Sequence, residues 1–125
     1  MYLVDGNNVM GQRVGWHRDK PAAQRRLMAE LARMSVEQNA SLTVVFDGRP
    51  LEDVVDGSVV DGVTVYFARS GSDADDRIVE LSRDALDPGQ ILAVTSDRQL
   101  RDRLQELGVE TMRSGQFRRL LEKEG

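Results

Sequence analysis

The sequence has no cysteine, so disulfide bonds, thiolate catalysis and cysteine-ligated zinc are all excluded. It has only one tryptophan, Trp16, and one histidine, His17, which are neighbours. Lysine is confined to Lys20 and Lys123, neither of them after an apolar run. No apolar run approaches the roughly 20 residues of a membrane span. The first strand is expected from residue 2, which leaves no room for a signal peptide ahead of it, so a cytoplasmic location is expected. Internal repeats and low-complexity segments are absent. A chain of 125 residues is expected to form one domain over 1–125. That length buries roughly two-thirds of the surface the unfolded chain exposes.

A formal net charge of −4 hides a strong asymmetry. Residues 11–33 carry six Lys/Arg against two acids, and residues 98–125 carry seven against five. Residues 47–87 carry four against eleven. An acidic middle between basic flanks suits a metal site beside a polyanion channel; solvated helix faces give the same counts.

Three stretches share one pattern. Tyr2-Leu-Val4 ends at Asp5-Gly6, Leu42-Thr-Val-Val-Phe46 ends at Asp47-Gly48, and Ile91-Leu-Ala-Val94 leads through Thr95-Ser96 to Asp97. Each is a buried strand delivering a carboxylate to a sheet edge, and Gly6 is expected to let the backbone turn and leave room for a ligand. If these strands are parallel, the three carboxylates emerge at the edge where open α/β sheets bind ligands. A single such aspartate needs no more than a turn or helix cap to explain it.

Between these strands the periodicity is helical. Gly11 to Lys20 is expected as a loop or ragged helix start. Asp19 and Pro21 open a helix over about 21–38, with Leu27, Leu31 and Met34 on one face. A further strand is expected over Val63–Phe67, and its direction is open, because Asp61-Gly62 also fits a hairpin turn. Asp73-Ala-Asp75-Asp76 starts a helix with Ile78, Leu81, Ala85 and Leu86 inward, ended by Asp87-Pro88-Gly89. Ser96 or Asp97 caps the next helix, whose Leu100, Leu104 and Leu107 form a stripe ended by Gly108. A last strand over 109–112 and a helix from Ser114 with Phe117, Leu120 and Leu121 complete a three-layer α/β/α domain. Its sheet is expected to be mainly parallel, with about five strands.

Acids at a helix N-terminus are favoured by the macrodipole, which accounts for one or two of Asp73, Asp75 and Asp76. Asp73 and Asp76 are three apart and share a helical face. If that face meets the strand ends carrying Asp5, Asp47 and Asp97, the carboxylates repel one another and need a counter-charge. Mg²⁺ or Mn²⁺, with oxygen ligands and open positions for phosphate oxygens, supplies one. A metal pair then suits attack of water on a phosphodiester.

Four motifs in series, Val4-Asp-Gly-Asn-Asn8-Val, Val45-Phe-Asp-Gly48, Ala74-Asp-Asp76-Arg-Ile and Val94-Thr-Ser-Asp97-Arg, resemble the NYN branch of the PIN-like nucleases, in particular the YacP-like ribonucleases. The resemblance runs from residue 2 to about 112. It implies a PIN-like fold and metal-dependent RNA cleavage, as an endonuclease using metal-activated water. The family's first acid falls on Asp5, its helix-borne acids on Asp75 and Asp76, and its late-strand acid on Asp97; Asn8 matches the opening motif. Asp73 is a further candidate from the similar acid-Ala-Asp-Asp run of flap-nuclease relatives. Position 7 is Asn where the family usually has an aromatic, and the chain is shorter than most members.

Asp5, Asp75, Asp76 and Asp97 are thus the candidate catalytic residues, and Asp5, Asp47, Asp73, Asp76 and Asp97 the candidate metal ligands. Asn8 and Ser96 are placed to orient a carboxylate or a phosphate oxygen, and Thr95 either does the same or is strand core. Arg13, Arg18, Arg25, Arg26, Arg98, Arg101, Arg113, Arg118 and Arg119 are candidate RNA contacts. Arg101 also fits an i,i+4 pair with Asp97. Trp16 either stacks on an unpaired base or covers the core. His17 is either a proton shuttle or a surface residue. Single-stranded or loop RNA is the expected substrate; association with the ribosome or RNA-processing machinery, and homodimerisation, stay open. Two rivals are a silent PIN-like module binding RNA or protein, and a phosphoacceptor signalling domain. The second needs a lysine placed after a strand, which the sequence lacks.

Overall fold

Apolar residues alternate along the strands so that each faces two helical layers. In the computed structural model, which describes residues 1–124, β1 (Tyr2–Asp5) sends Val4 to one side and Leu3 to the other. The same alternation places Val44 and Phe46 of β2 (Leu42–Phe46) opposite Val45, and Val94 of β5 (Leu92–Val94) opposite Ala93. Helices α1 (Gly6–Met10), α2 (Lys20–Gln38) and α5 (Ser114–Glu124) cover the first face through Val9, Leu27, Leu31, Met34, Phe117 and Leu121. Helices α3 (Ala74–Arg83) and α4 (Arg98–Glu106) cover the second through Ile78, Val79, Leu100 and Leu104. The three-layer α/β/α architecture follows directly from that alternation.

The sheet has six strands, in the order β3-β4-β2-β1-β5-β6, where β6 is Glu110–Met112. The extra strand is β3 (Ser58–Val60), which pairs antiparallel with β4 (Val63–Phe67), while β4 is parallel to β2. Both readings of Asp61-Gly62 therefore hold at once. The pair has φ of 49° and 84°, the positive values a two-residue hairpin turn requires, and the strand after it still joins the parallel sheet. Every other pairing is parallel. Strand β1 lies between β2 and β5: the chain runs from β1 to β2 and β4 on one side, then crosses back from β4 to β5 and β6 on the other. The carboxyl ends of β1, β2 and β5 thus flank a topological switch point, where a crevice forms.

Local signals set most helix ends. Asp19 accepts from the Ala22 N–H at 3.1 Å and Pro21 follows in the first turn, while Asn39 ends α2 in the left-handed region at φ 48°. Helix α3 is shorter than expected: it stops at Arg83, and Leu86 is fully exposed rather than inward. Residues 6–10 form a helix directly after β1, which the sequence pattern did not signal. Gly6 has a different reason from the one expected. A Cβ there would lie 2.5 Å from the Phe46 ring and 3.0 Å from the Val45 carbonyl oxygen, so the missing side chain lets α1 sit on β2. Among the described residues no helix is long and apolar enough to cross a membrane.

Candidate active site

The end of β1 carries Asp5 into the crevice at only 5% exposure. Its Oδ2 accepts from the Thr95 hydroxyl at 2.9 Å, and Thr95 Oγ1 in turn accepts from the Asp97 N–H at 3.2 Å. Asp97 Oδ1 accepts from the Leu100 N–H at 3.0 Å, so Asp97 caps α4 while its side chain borders the crevice. From β2, Asp47 Oδ1 accepts from the Ala74 N–H at 2.7 Å, tying the strand end to the start of α3. Asp73 caps α3 by accepting from the Asp76 N–H at 2.9 Å. Together with Asp75, Asn7 and Asn8, these residues line an open cleft of about 350 Å³.

Electrostatics set this cleft apart from a row of helix caps. Burial pushes the Asp5 carboxyl up to about 7, with the charges of Asp75 and Asp47 acting the same way and the Thr95 hydroxyl opposing. Burial raises Asp75 to about 6, reinforced by Asp97, Asp73 and Asp47 and opposed by Arg103. Five aspartates from four segments thus share one cleft, with no matching set of cations among the described residues.

The expected constellation is met by Asp5, Asp47, Asp73, Asp75 and Asp97, which converge. Asp76 needs correcting. It lies outside the cleft, accepting from the Ser72 hydroxyl at 2.9 Å and pairing with Arg103 at 3.3 Å. Asp73 reaches the strand ends but Asp76, three residues on, does not; the docked turn presents Asp75 beside Asp73 instead. Asn8 and Ser96 are also committed to protein groups. Asn8 Oδ1 accepts from the Ser96 N–H at 2.9 Å and from the Ser114 hydroxyl, and Ser96 Oγ accepts from the Ser114 N–H at 2.9 Å. They clamp α1, the β5–α4 turn and the start of α5 together, fixing the cleft wall.

Asn7 and Ser114 are functional residues that the sequence does not mark as such. Asn7 Oδ1 accepts from the Asp47 N–H at 3.0 Å and so holds the second strand end. Its signal was its place in the opening Asp-Gly-Asn-Asn run. Ser114 gave no signal beyond starting a helix.

The arginines divide. Arg118 is buried, with both terminal nitrogens on Glu30 at 3.1 and 2.7 Å, so it is a core ion pair and not a surface RNA contact. Arg13 joins it on Glu30 at 3.1 Å. Arg25 makes a bidentate pair with Asp53 at 3.0 and 2.7 Å. Arg101 turns to Thr111 at 3.4 Å and not to Asp97. Arg18, Arg26, Arg98, Arg113 and Arg119 are exposed and carry no ion pair among the described residues. Trp16 is partly buried against the core, and His17 is exposed.

A three-layer α/β/α domain with aspartates gathered at the switch point of its sheet is the architecture of the PIN-like nuclease class. The chain belongs to the YacP-like NYN domain family, whose model matches residues 2–125; the family covers nuclease and RNA-processing functions. Two crystal structures of Rae1 (YacP) from Bacillus subtilis are similar to it. One, a W164L mutant, is 23% identical with a TM-score of 0.81, over 98% of this chain and 75% of that one. The other is 25% identical with a TM-score of 0.79, over 99% and 74%. No curated protein matches the chain.

Proposed function

We propose that the cleft is the active site of a metal-dependent endoribonuclease cutting single-stranded or loop RNA. The observation that carries this reading is the convergence of Asp5, Asp47, Asp73, Asp75 and Asp97 on one cleft, where burial first and the neighbouring carboxylates second raise Asp5 and Asp75. Among the described residues no three acidic side chains stand close enough to hold one ion between them. The fit therefore rests on donor chemistry. The cleft offers only hard oxygen donors, several of them carboxylates, the set that Mg²⁺ and Mn²⁺ prefer. When bound there, such a cation neutralises the carboxylates and stabilises charge developing on a phosphodiester.

The chain's own groups have distinct tasks. Asp5, Asp75 and Asp97 are the residues we assign to the metal and the reacting phosphate, with Asp47 and Asp73 beside them. Thr95 fixes the Asp5 carboxylate, and the clamp of Asn8, Ser96 and Ser114 keeps the β1 and β5 ends in register. Rigid strand ends hold such groups better than loops do. Without a cation, burial and the neighbouring carboxylates raise Asp75, so a bound cation relieves the strain of its charged form. Arg98, Arg113 and Arg119, exposed and without an ion pair among the described residues, supply sequence-independent phosphate contacts.

The test is cleavage of an unstructured RNA by the purified chain in Mg²⁺ or Mn²⁺, with EDTA as control. Internal cuts that EDTA abolishes are expected. RNA that binds yet stays intact in either metal would identify a silent binding module instead.

A further inference from the structure

A second cavity shares helix α1 with the carboxylate cleft. It has a volume of about 250 Å³ and is enclosed by the end of α1, the 3₁₀ turn Trp16–Arg18, the first half of α2 and Arg118 of α5. Met10, Ala23 and Leu27 give it an apolar floor, Trp16 forms a wall, and Arg18 and Arg26 stand at its rim. We propose that this groove holds one unpaired nucleotide of the RNA whose neighbouring phosphate enters the cleft; the proposal rests on the nuclease reading above.

Three features favour that occupant. At about 250 Å³ the groove falls just below the roughly 300–1,000 Å³ of drug-sized ligand sites, so it suits a single base and not an extended segment. Its lining carries four guanidinium groups against the carboxylates of Asp19 and Glu30, so an anionic ligand complements it and a basic one does not. Helix α1 is common to both sites, with Asn7 and Asn8 on the cleft and Met10 on the groove. A flat aromatic ligand bearing a negative charge, positioned by the same five-residue helix that borders the carboxylates, is a nucleotide of a strand crossing both. Trp16 supplies a stacking surface, already under a cation at Lys20 Nζ, 5.7 Å from the ring centroid.

The only tryptophan of the chain is therefore its own reporter. In EDTA, which prevents cutting, a fluorescein-labelled unstructured oligoribonucleotide is titrated into the protein. Anisotropy reads total binding and tryptophan emission reads the groove. Saturable quenching that follows the anisotropy curve is expected. Arg18→Ala with Arg26→Ala should weaken binding about tenfold and remove the quenching at matched protein concentration. Trp16→Phe, which keeps an aromatic face on the core, should bind more tightly than Trp16→Leu. If the RNA binds and is cut in metal while tryptophan emission stays constant, the strand bypasses the groove and this proposal alone fails. If the RNA neither binds nor is cut, the nuclease reading falls with it.

Discussion

Thr95 donates its hydroxyl hydrogen to the Asp5 carboxylate across 2.9 Å, inside the sheet. The same oxygen accepts from the Asp97 N–H, so one hydroxyl couples the two strand-end acids. Thr95→Val keeps the shape and removes both bonds. It should cost about 1–3 kcal/mol, the range for leaving buried polar groups unpaired, and should lower cleavage. Thr95→Ser should restore most of both. Urea denaturation and cleavage rates of the two variants check this.

The neighbouring acids Asp75 and Asp76 should separate sharply. Asp75 faces the cleft, whereas Asp76 pairs with Arg103 at an exposed site. Asp75→Asn is expected to reduce cleavage by orders of magnitude, and Asp76→Asn by no more than a few fold, since exposed ion pairs contribute ~0–1 kcal/mol. Equal losses in a side-by-side rate measurement would mean the helix docks differently in the working enzyme.

The orientation of α3 separates two acids that their sequence does not. The strand-end aspartates were legible because an apolar run ending in Asp is a local pattern, and parallel pairing follows from the alternating elements. Which of two adjacent helical acids faces the cleft depends on the rotation of α3, set by Ile78 and Val79 against the sheet. Helix α1 has five residues, including a glycine and two asparagines, too few for periodicity and poor in helix propensity. Gly6 answers to Phe46, forty positions away, and Arg118 to Glu30 on another helix. Such partners leave no trace in the surrounding sequence.

Arg118 gives a test of that last point. Removing one partner of a buried ion pair typically costs ~3–5 kcal/mol; Arg13 still faces Glu30, so Arg118→Ala should fall near the lower end. Arg119→Ala, at an exposed position, should leave stability within ~0.5 kcal/mol. Chemical denaturation of both variants reads the difference directly.

In the absence of divalent cations, stability should depend on pH through Asp5 and Asp75. Their folded values of about 7 and about 6 lie above the ordinary value of 3.8, so between about pH 4 and 7 the folded state binds more protons than the unfolded one. Stability should therefore fall as pH rises through that window. Asp5→Asn should flatten much of the slope. Melting temperatures in EDTA across the window are the measurement.

The most direct test of a carboxylate cleft built for metal-dependent cleavage is the pair Asp5→Asn and Asp97→Asn, each measured for metal-free stability and for RNA cleavage in Mn²⁺. Asn caps a helix about as well as Asp, so Asp97→Asn should keep α4 capped, and both substitutions remove a repelling charge. The expected result is opposite signs: melting temperature in EDTA level or higher than the parent, and cleavage lower by orders of magnitude. Cleavage at the parental rate in both variants would contradict the account at its centre.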